Sequence, residues 1–176
     1  MSAWEGGPRV PAIMRWPGRI PAGQVCHEMV TTMDLLPTFA KLARAKLRSD
    51  RVIDGRDMWS LMAGAPYAKS PHEAFYFYNY LRLNAVRSGK WKLVPPRPAK
   101  PAGTGWSGRM IDAVEKTQLY DLEADIEERY DLAEQHPQIV ARLAKLIDKA
   151  REGLGDHETV GSGARFFDGP RPTSRG

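Results

Sequence analysis

The spread of 16 Gly and 14 Pro through 176 residues cuts this chain into short pieces, because proline ends helices and glycine favours turns. Only one stretch keeps a helical period over several turns. From Pro137 onward, Ile139, Val140, Leu143, Leu146 and Ile147 recur at i, i+3, i+4 and i+7, and the pattern stops near Gly153. The chain therefore predicts a mixed α/β fold of short elements with a closing helix, not a helical bundle.

Upstream of that helix, residues 10–16 are mostly apolar and lie between Gly6-Gly7-Pro8 and Pro17-Gly18, which predicts a buried strand. Residues 25–30 read as a short strand or an extended approach to a helix. That helix is capped by Thr31, Thr32 or Asp34, carries Pro37 in its first turn, and spaces Leu35, Leu36, Phe39, Leu42 and Ala43 on one face. Asp57 caps a short helix through Trp59, Leu61 and Met62 that stops at Gly64. An aromatic run, residues 74–80, predicts a strand; residues 83–87 and 91–94 alternate around Ser88-Gly89-Lys90 and predict a hairpin. Residues 95–108 read as a surface loop, 118–122 as a further strand, 123–131 as an acidic turn region, and 156–176 as a tail rich in Gly, Pro, Ser and Thr.

Composition removes several functions. The net charge of +5 invites a nucleic-acid reading, but the cations are scattered and interleaved with acids, so none is expected. No apolar run nears the roughly 18 residues of a membrane span. The lone cysteine, Cys26, excludes an internal disulfide or a CxxC metal site, and Val25, Met29 and Val30 around it predict a half-buried, inert thiol. His27, His72, His136 and His157 form no HxH or HExxH pair and read as isolated surface or capping residues. Asp54 with Asp57, and Asp121 with Asp125, lack the alternating acids of a calcium loop and read as turn caps. No nucleophile elbow, P-loop or dinucleotide fingerprint is present.

Particular words then carry more than composition. Trp4-Glu5-Gly6-Gly7-Pro8-Arg9-Val10-Pro11, Arg15-Trp16-Pro17-Gly18, Thr32-Met33-Asp34-Leu35-Leu36-Pro37-Thr38, Ile53-Asp54-Gly55-Arg56-Asp57, Ala85-Val86-Arg87-Ser88-Gly89-Lys90-Trp91-Lys92 and Leu119-Tyr120-Asp121-Leu122, the last with Asp125, Glu128 and the closing helix, follow one another in this order. Together, over residues 4–153, they resemble the C-terminal portion of the sulfatase family. Pro8 departs from the aliphatic residue usual at that place.

The resemblance implies hydrolysis of sulfate esters by a formylglycine made from Cys or Ser in a C/S-x-P-x-R motif, beside a calcium ion held by Asp and Asn. Cys26 is followed by His27, Glu28, Met29 and Val30, and Pro172-Thr173-Ser174-Arg175 has the wrong spacing, so neither is that motif. No catalytic residue and no metal ligand is carried over. By the same analogy Trp4, Glu5 and Arg9 lie nearest the sulfate pocket, Arg9 bracing the loop, while the sulfate-binding lysine, the nucleophile and the calcium ligands belong to a preceding N-terminal part that is the expected partner. The implied architecture places residues 1–73 at the end of a large central α/β sheet with its packing helix, 74–155 in a small antiparallel sheet with a C-terminal helix, and 156–176 in a disordered tail. It implies a periplasmic or extracellular enzyme, although the first residues carry no secretory signal. A fragment of this kind is catalytically silent alone. Two alternatives stand beside it: a related phosphoester or phosphonate hydrolase, and a non-catalytic interaction module working through Arg82, Arg87, Lys90, Lys92 and Arg97. Exposure discriminates the last, since a fragment leaves Ile13, Leu35, Leu36 and Phe39 uncovered whereas an independent module buries them.

Overall fold

The computed structural model of the chain describes residues 4–79, 81–99, 113–157 and 159–165. They fall into two compact units: Val10–Ala74 forms one, and Met1–Arg9 joins Phe75–Gly176 in the other.

The second unit is built on an antiparallel sheet in the order β1 (Phe75–Asn79), β2 (Arg82–Ser88), β3 (Trp91–Val94), β4 (Gln118–Asp121). The hairpin expected around Ser88-Gly89-Lys90 forms: Ser88 pairs with Trp91, and Gly89 takes the positive φ (58°) that so tight a reversal requires. Register places Phe75, Arg87, Lys92 and Tyr120 in one row across all strands, with Phe77 opposite Ala85. That face gathers Phe77, Ala85, Val94, Val114, Tyr120 and Leu122, with Trp4 and Phe75 packed against them. Alternation sends Val86, Leu93 and Leu119 to the opposite face. There lies α3 (Pro137–Gly153), in contact with β2 and β3, its Leu143, Leu146, Ile147 and Ala150 turned inward as the periodicity predicts.

The tail expected from residue 156 does not begin there. β5 (Gly155–Asp156) pairs with β6 (Thr159–Val160). Gly155 turns the chain at φ 97°, and Asp156 accepts from the Leu83 N–H (2.9 Å) and from Arg151 Nε (3.0 Å), tying the ladder to the sheet. Residues 166–176 of that expected tail lie outside the described residues. So does most of the expected 95–108 loop, of which Arg97 exchanges two backbone hydrogen bonds of 2.9 Å with Val114.

In the unit Val10–Ala74, a 3-10 turn (Thr32–Asp34) leads into α1 (Leu35–Leu42), with Pro37 in the first turn, and α2 spans Trp59–Met62. Asp57 accepts from the Trp59 N–H (2.9 Å), the expected cap, and Gly64 ends the turn at φ 64°. The strand expected over residues 10–16 is absent. This stretch forms no element, with Val10 69% and Ile13 95% exposed. A strand exists only by bonding to a neighbour, and no described residue pairs with it.

Gly55 packs so closely on the 3-10 turn that an added Cβ would stand 1.9 Å from the Met33 carbonyl oxygen. Gly55→Ala must therefore push backbone, not a flexible side chain, and should cost about 1–3 kcal/mol. A urea titration of the variant should show a lower midpoint; an unchanged one would mean that this approach is not needed.

Candidate functional site

The residues that the resemblance places near the sulfate pocket open the chain. Residues 4–9 curl into a turn, with Gly7 N–H donating to the Trp4 carbonyl (3.0 Å) and Arg9 N–H to that of Glu5 (3.1 Å). Trp4 meets Tyr120 edge-on at 6.1 Å. Glu5 is buried, and its carboxylate collects cations from the sheet: Arg87 Nη1 at 3.0 Å, Arg9 Nη1 at 3.3 Å and Lys92 Nζ at 3.4 Å. Lys92 Nζ also lies 2.7 Å from Glu128 Oε1 and 4.3 Å from the Phe77 ring centroid, while Glu128 Oε2 accepts from the Glu5 N–H at 2.8 Å. Glu128 holds φ at 58°, unusual for a residue with a Cβ. The acidic turn stabilises it there, because Asp125 Oδ2 accepts from the next two amides, of Arg129 and Tyr130.

Two carboxylates thus face two buried or half-buried cations with Arg9 at the rim, and the charges are answered internally. Burial pushes the Lys92 ammonium down from the ordinary lysine value, and the two carboxylates only partly offset it. Burial, with Asp131, Glu128 and Asp125 nearby, raises Tyr120 to about 12. A cluster closed in this way clamps a loop; it presents no free base or nucleophile. The sequence offers Lys92 only as part of the interaction-module alternative, not as a buried partner of Glu5. The available signal was its register: it shares strand parity with Val94, on the inward face.

A second buried centre lies in the unit Val10–Ala74. Asp34, fully buried, accepts from the amides of Thr31 (2.7 Å) and Arg56 (2.7 Å) and meets His72 Nε2 at 2.7 Å. An ionised carboxylate only accepts, so Nε2 carries the hydrogen. Thr38 Oγ1 donates to the Asp34 carbonyl (2.6 Å) and accepts from the Met58 N–H (3.0 Å). Three separate stretches are joined through one residue. Burial acts to raise the Asp34 carboxyl, but the Arg56 and Thr31 amides and His72 together outweigh it and hold the group below 3.8. The folded state therefore binds this proton less readily than the unfolded chain, so the stabilisation is complete above 3.8 and is lost as pH falls through the folded value. Asp34→Asn should cost about 1–3 kcal/mol at neutral pH. Denaturant titrations should show that deficit shrinking below pH 3.8; a deficit independent of pH would remove the charge from the account.

The other expected residues are dispersed. His27 is exposed, His136 stands at the N-cap of α3 against Trp91 (5.0 Å), and the His157 N–H donates to the Leu81 carbonyl. Cys26 is exposed, contrary to the half-buried thiol expected, because Val25 beside it is itself 79% exposed and residues 21–27 form no element. Asp121 caps Glu123, as a turn residue should. Among the described residues no three His, Cys, Asp or Glu side chains gather as metal ligands, and no helix is long and apolar enough to cross a membrane. The basic surface of the interaction-module alternative does not exist as such. Arg87 and Lys92 serve Glu5, Lys90 pairs with Asp121 (2.6 Å), Arg97 is buried and donates to the Asn84 carbonyl (3.2 Å), and Arg82 is half-buried.

Two family profiles match: the C-terminal region of aryl-sulfatase over residues 70–165, and the C-terminal part of N-sulphoglucosamine sulphohydrolase over residues 2–95. The chain belongs to the sulfatase family. Human steryl-sulfatase is 52% identical over 84 residues, covering 48% of this sulfatase chain and 14% of that protein. Human arylsulfatase D is 34% identical over 174 residues, covering 88% and 29%. In the solved structure of the PsFucS1 sulfatase from Pseudoalteromonas sp., the fold superposes with a TM-score of 0.68 at 24% identity, over 84% of this chain and 30% of that one. The sulfatase chain is thus a C-terminal portion, spanning less than a third of each of these relatives.

Proposed function

We propose that the chain is the structural end of an arylsulfatase-like sulfuric ester hydrolase, and that its nucleophile and cation ligands are supplied by a preceding part of the enzyme. The observation that carries this reading is exposure. Ile13 is 95%, Leu36 58% and Phe39 52% exposed, and Leu35 is half-buried. Ile13, with Met14, Trp16, Ile20, Met58 and Leu61, also lines an open apolar concavity. An apolar helix face and an uncovered apolar stretch are what a chain leaves behind when the layer that covers them is elsewhere.

In the complete enzyme, residues 4–9 would border the sulfate pocket. Arg9, with its side chain 42% exposed, is the member of the trio whose charge remains within reach of an anion. Glu5 and Trp4 would brace the turn from behind. Formylglycine and calcium are proposed for the complete enzyme, as the sources of its nucleophile and of charge neutralisation. The residues described here do not fit either group, since Cys26 lacks the required neighbours and no acidic cluster forms, so no step is assigned to them.

The reading is tested on the coding sequence upstream of Met1. A C/S-x-P-x-R motif with paired Asp residues there, in frame or frameshifted, is expected. An upstream stretch encoding an unrelated domain would contradict the reading. Activity of the completed enzyme toward aryl sulfate, and not toward aryl phosphate, would then separate the sulfatase from its phosphoester relatives.

A further inference from the structure

Residues 4–9 and Lys92 are separated by the whole unit Val10–Ala74, yet they belong to one compact body. What joins them is not apolar burial alone. Lys92 is fully buried in the inner row of the sheet, between Arg87 on β2 and Tyr120 on β4. From there its ammonium reaches Glu5 (3.4 Å) and Glu128 (2.7 Å), and the second oxygen of Glu128 takes the Glu5 N–H. The loop is therefore gripped by its first buried side chain and by its main chain, from two points of the sheet unit. A methionine would fill the same space without the cost of desolvating a charge, so a lysine here is poorly explained by stability. Direction explains it better: an ammonium between two carboxylates accepts few arrangements, whereas an apolar contact tolerates many.

We propose that Lys92 is a positioning residue, fixing the turn at residues 4–9 on the C-terminal sheet and with it the point from which the preceding part of the enzyme enters. This rests on the reading of the chain as the end of a longer sulfatase. The local clamp can nevertheless be tested on residues 1–176 alone, so its failure is distinguishable from failure of that reading.

The variants are Lys92→Met, which keeps the bulk, and Glu5→Gln, which keeps the shape and removes only the loop's charge. Amide hydrogen exchange is read at Glu5, Gly7 and Arg9 and compared with Val86 and Leu93 in the β2–β3 ladder. The indole N–H signal of Trp4, assigned by Trp4→Phe, serves as a second readout. In either variant the loop amides should exchange at least tenfold faster, on the order expected for the loss of a charge-assisted contact, while the ladder stays within about twofold of the parent. The Trp4 signal should move toward its position in an unfolded peptide. If Lys92→Met does not fold, Glu5→Gln decides. Loop amides as protected as in the parent, or loop and ladder losing protection in step, would overturn the proposal.

Discussion

Glu128→Ala should lower the stability of the sheet unit by about 3–5 kcal/mol at pH 7, the cost typical of leaving a buried charge without its partner. Lys92 sits in the middle of β3 and cannot swing out to water, and its nearest carboxylate oxygen, at 2.7 Å, is the one removed. Glu5 stays, but at 3.4 Å and shared with Arg87 and Arg9. The deficit should also depend on pH in a particular direction. Burial already holds the folded Lys92 below its ordinary value of 10.5, and losing Glu128 lowers it further. The unfolded chain then binds more protons between the folded value and 10.5, so folded stability rises with pH across that window. Urea titrations at pH 7 and near pH 10 should show the gap to the parent narrowing at the higher pH. A gap that is small at pH 7, or widens with pH, would mean that Lys92 is not held as described.

Replacing Ile13 and Phe39 with serine should have the opposite profile. Ile13 is 95% and Phe39 52% exposed, so stability of the isolated chain should stay within about 0.5 kcal/mol of the parent. If the preceding part of the sulfatase covers these side chains, however, each buried residue contributes about 1.5–3 kcal/mol to that association. Binding of a separately produced preceding part should then weaken by roughly tenfold to more than a hundredfold per residue. Calorimetry or a pull-down with the double variant checks this. Undiminished association would place the covering layer elsewhere on the chain.

The parts of the fold legible in the sequence are those fixed by local chemistry. Proline at the start of α3 with its apolar period, Gly89 in the hairpin, and Asp57 ahead of Trp59 each specify structure within a few residues. Residues 10–16 show where that stops. Their apolar run predicts a buried strand, but pairing is a property of the neighbour, and no described residue supplies one. Cys26 is exposed for the same reason, Val25 beside it having nothing to pack against. The turn at Trp4, Glu5 and Arg9 is recognisable as a word, and Lys92 and Glu128 belong to others, but nothing in the sequence shows that they meet. They come together across sequence separations of 87 and 123 residues from Glu5, through the sheet register for Lys92 and the acidic turn for Glu128. Thr31 and Asp34, two of the expected caps, do form a capping box at the 3-10 turn, but the contacts of the Asp34 carboxylate with Arg56 and His72 are not visible in the sequence.

These residues belong to a sulfatase scaffold, and its nucleophile and cation ligands are proposed to lie in a preceding part. Turnover of a chromogenic aryl sulfate, measured on residues 1–176 alone and again after co-expression with the preceding part, tests it most directly. The chain alone should show no rate above buffer, and only the pair should turn over. Turnover by the chain alone would contradict it.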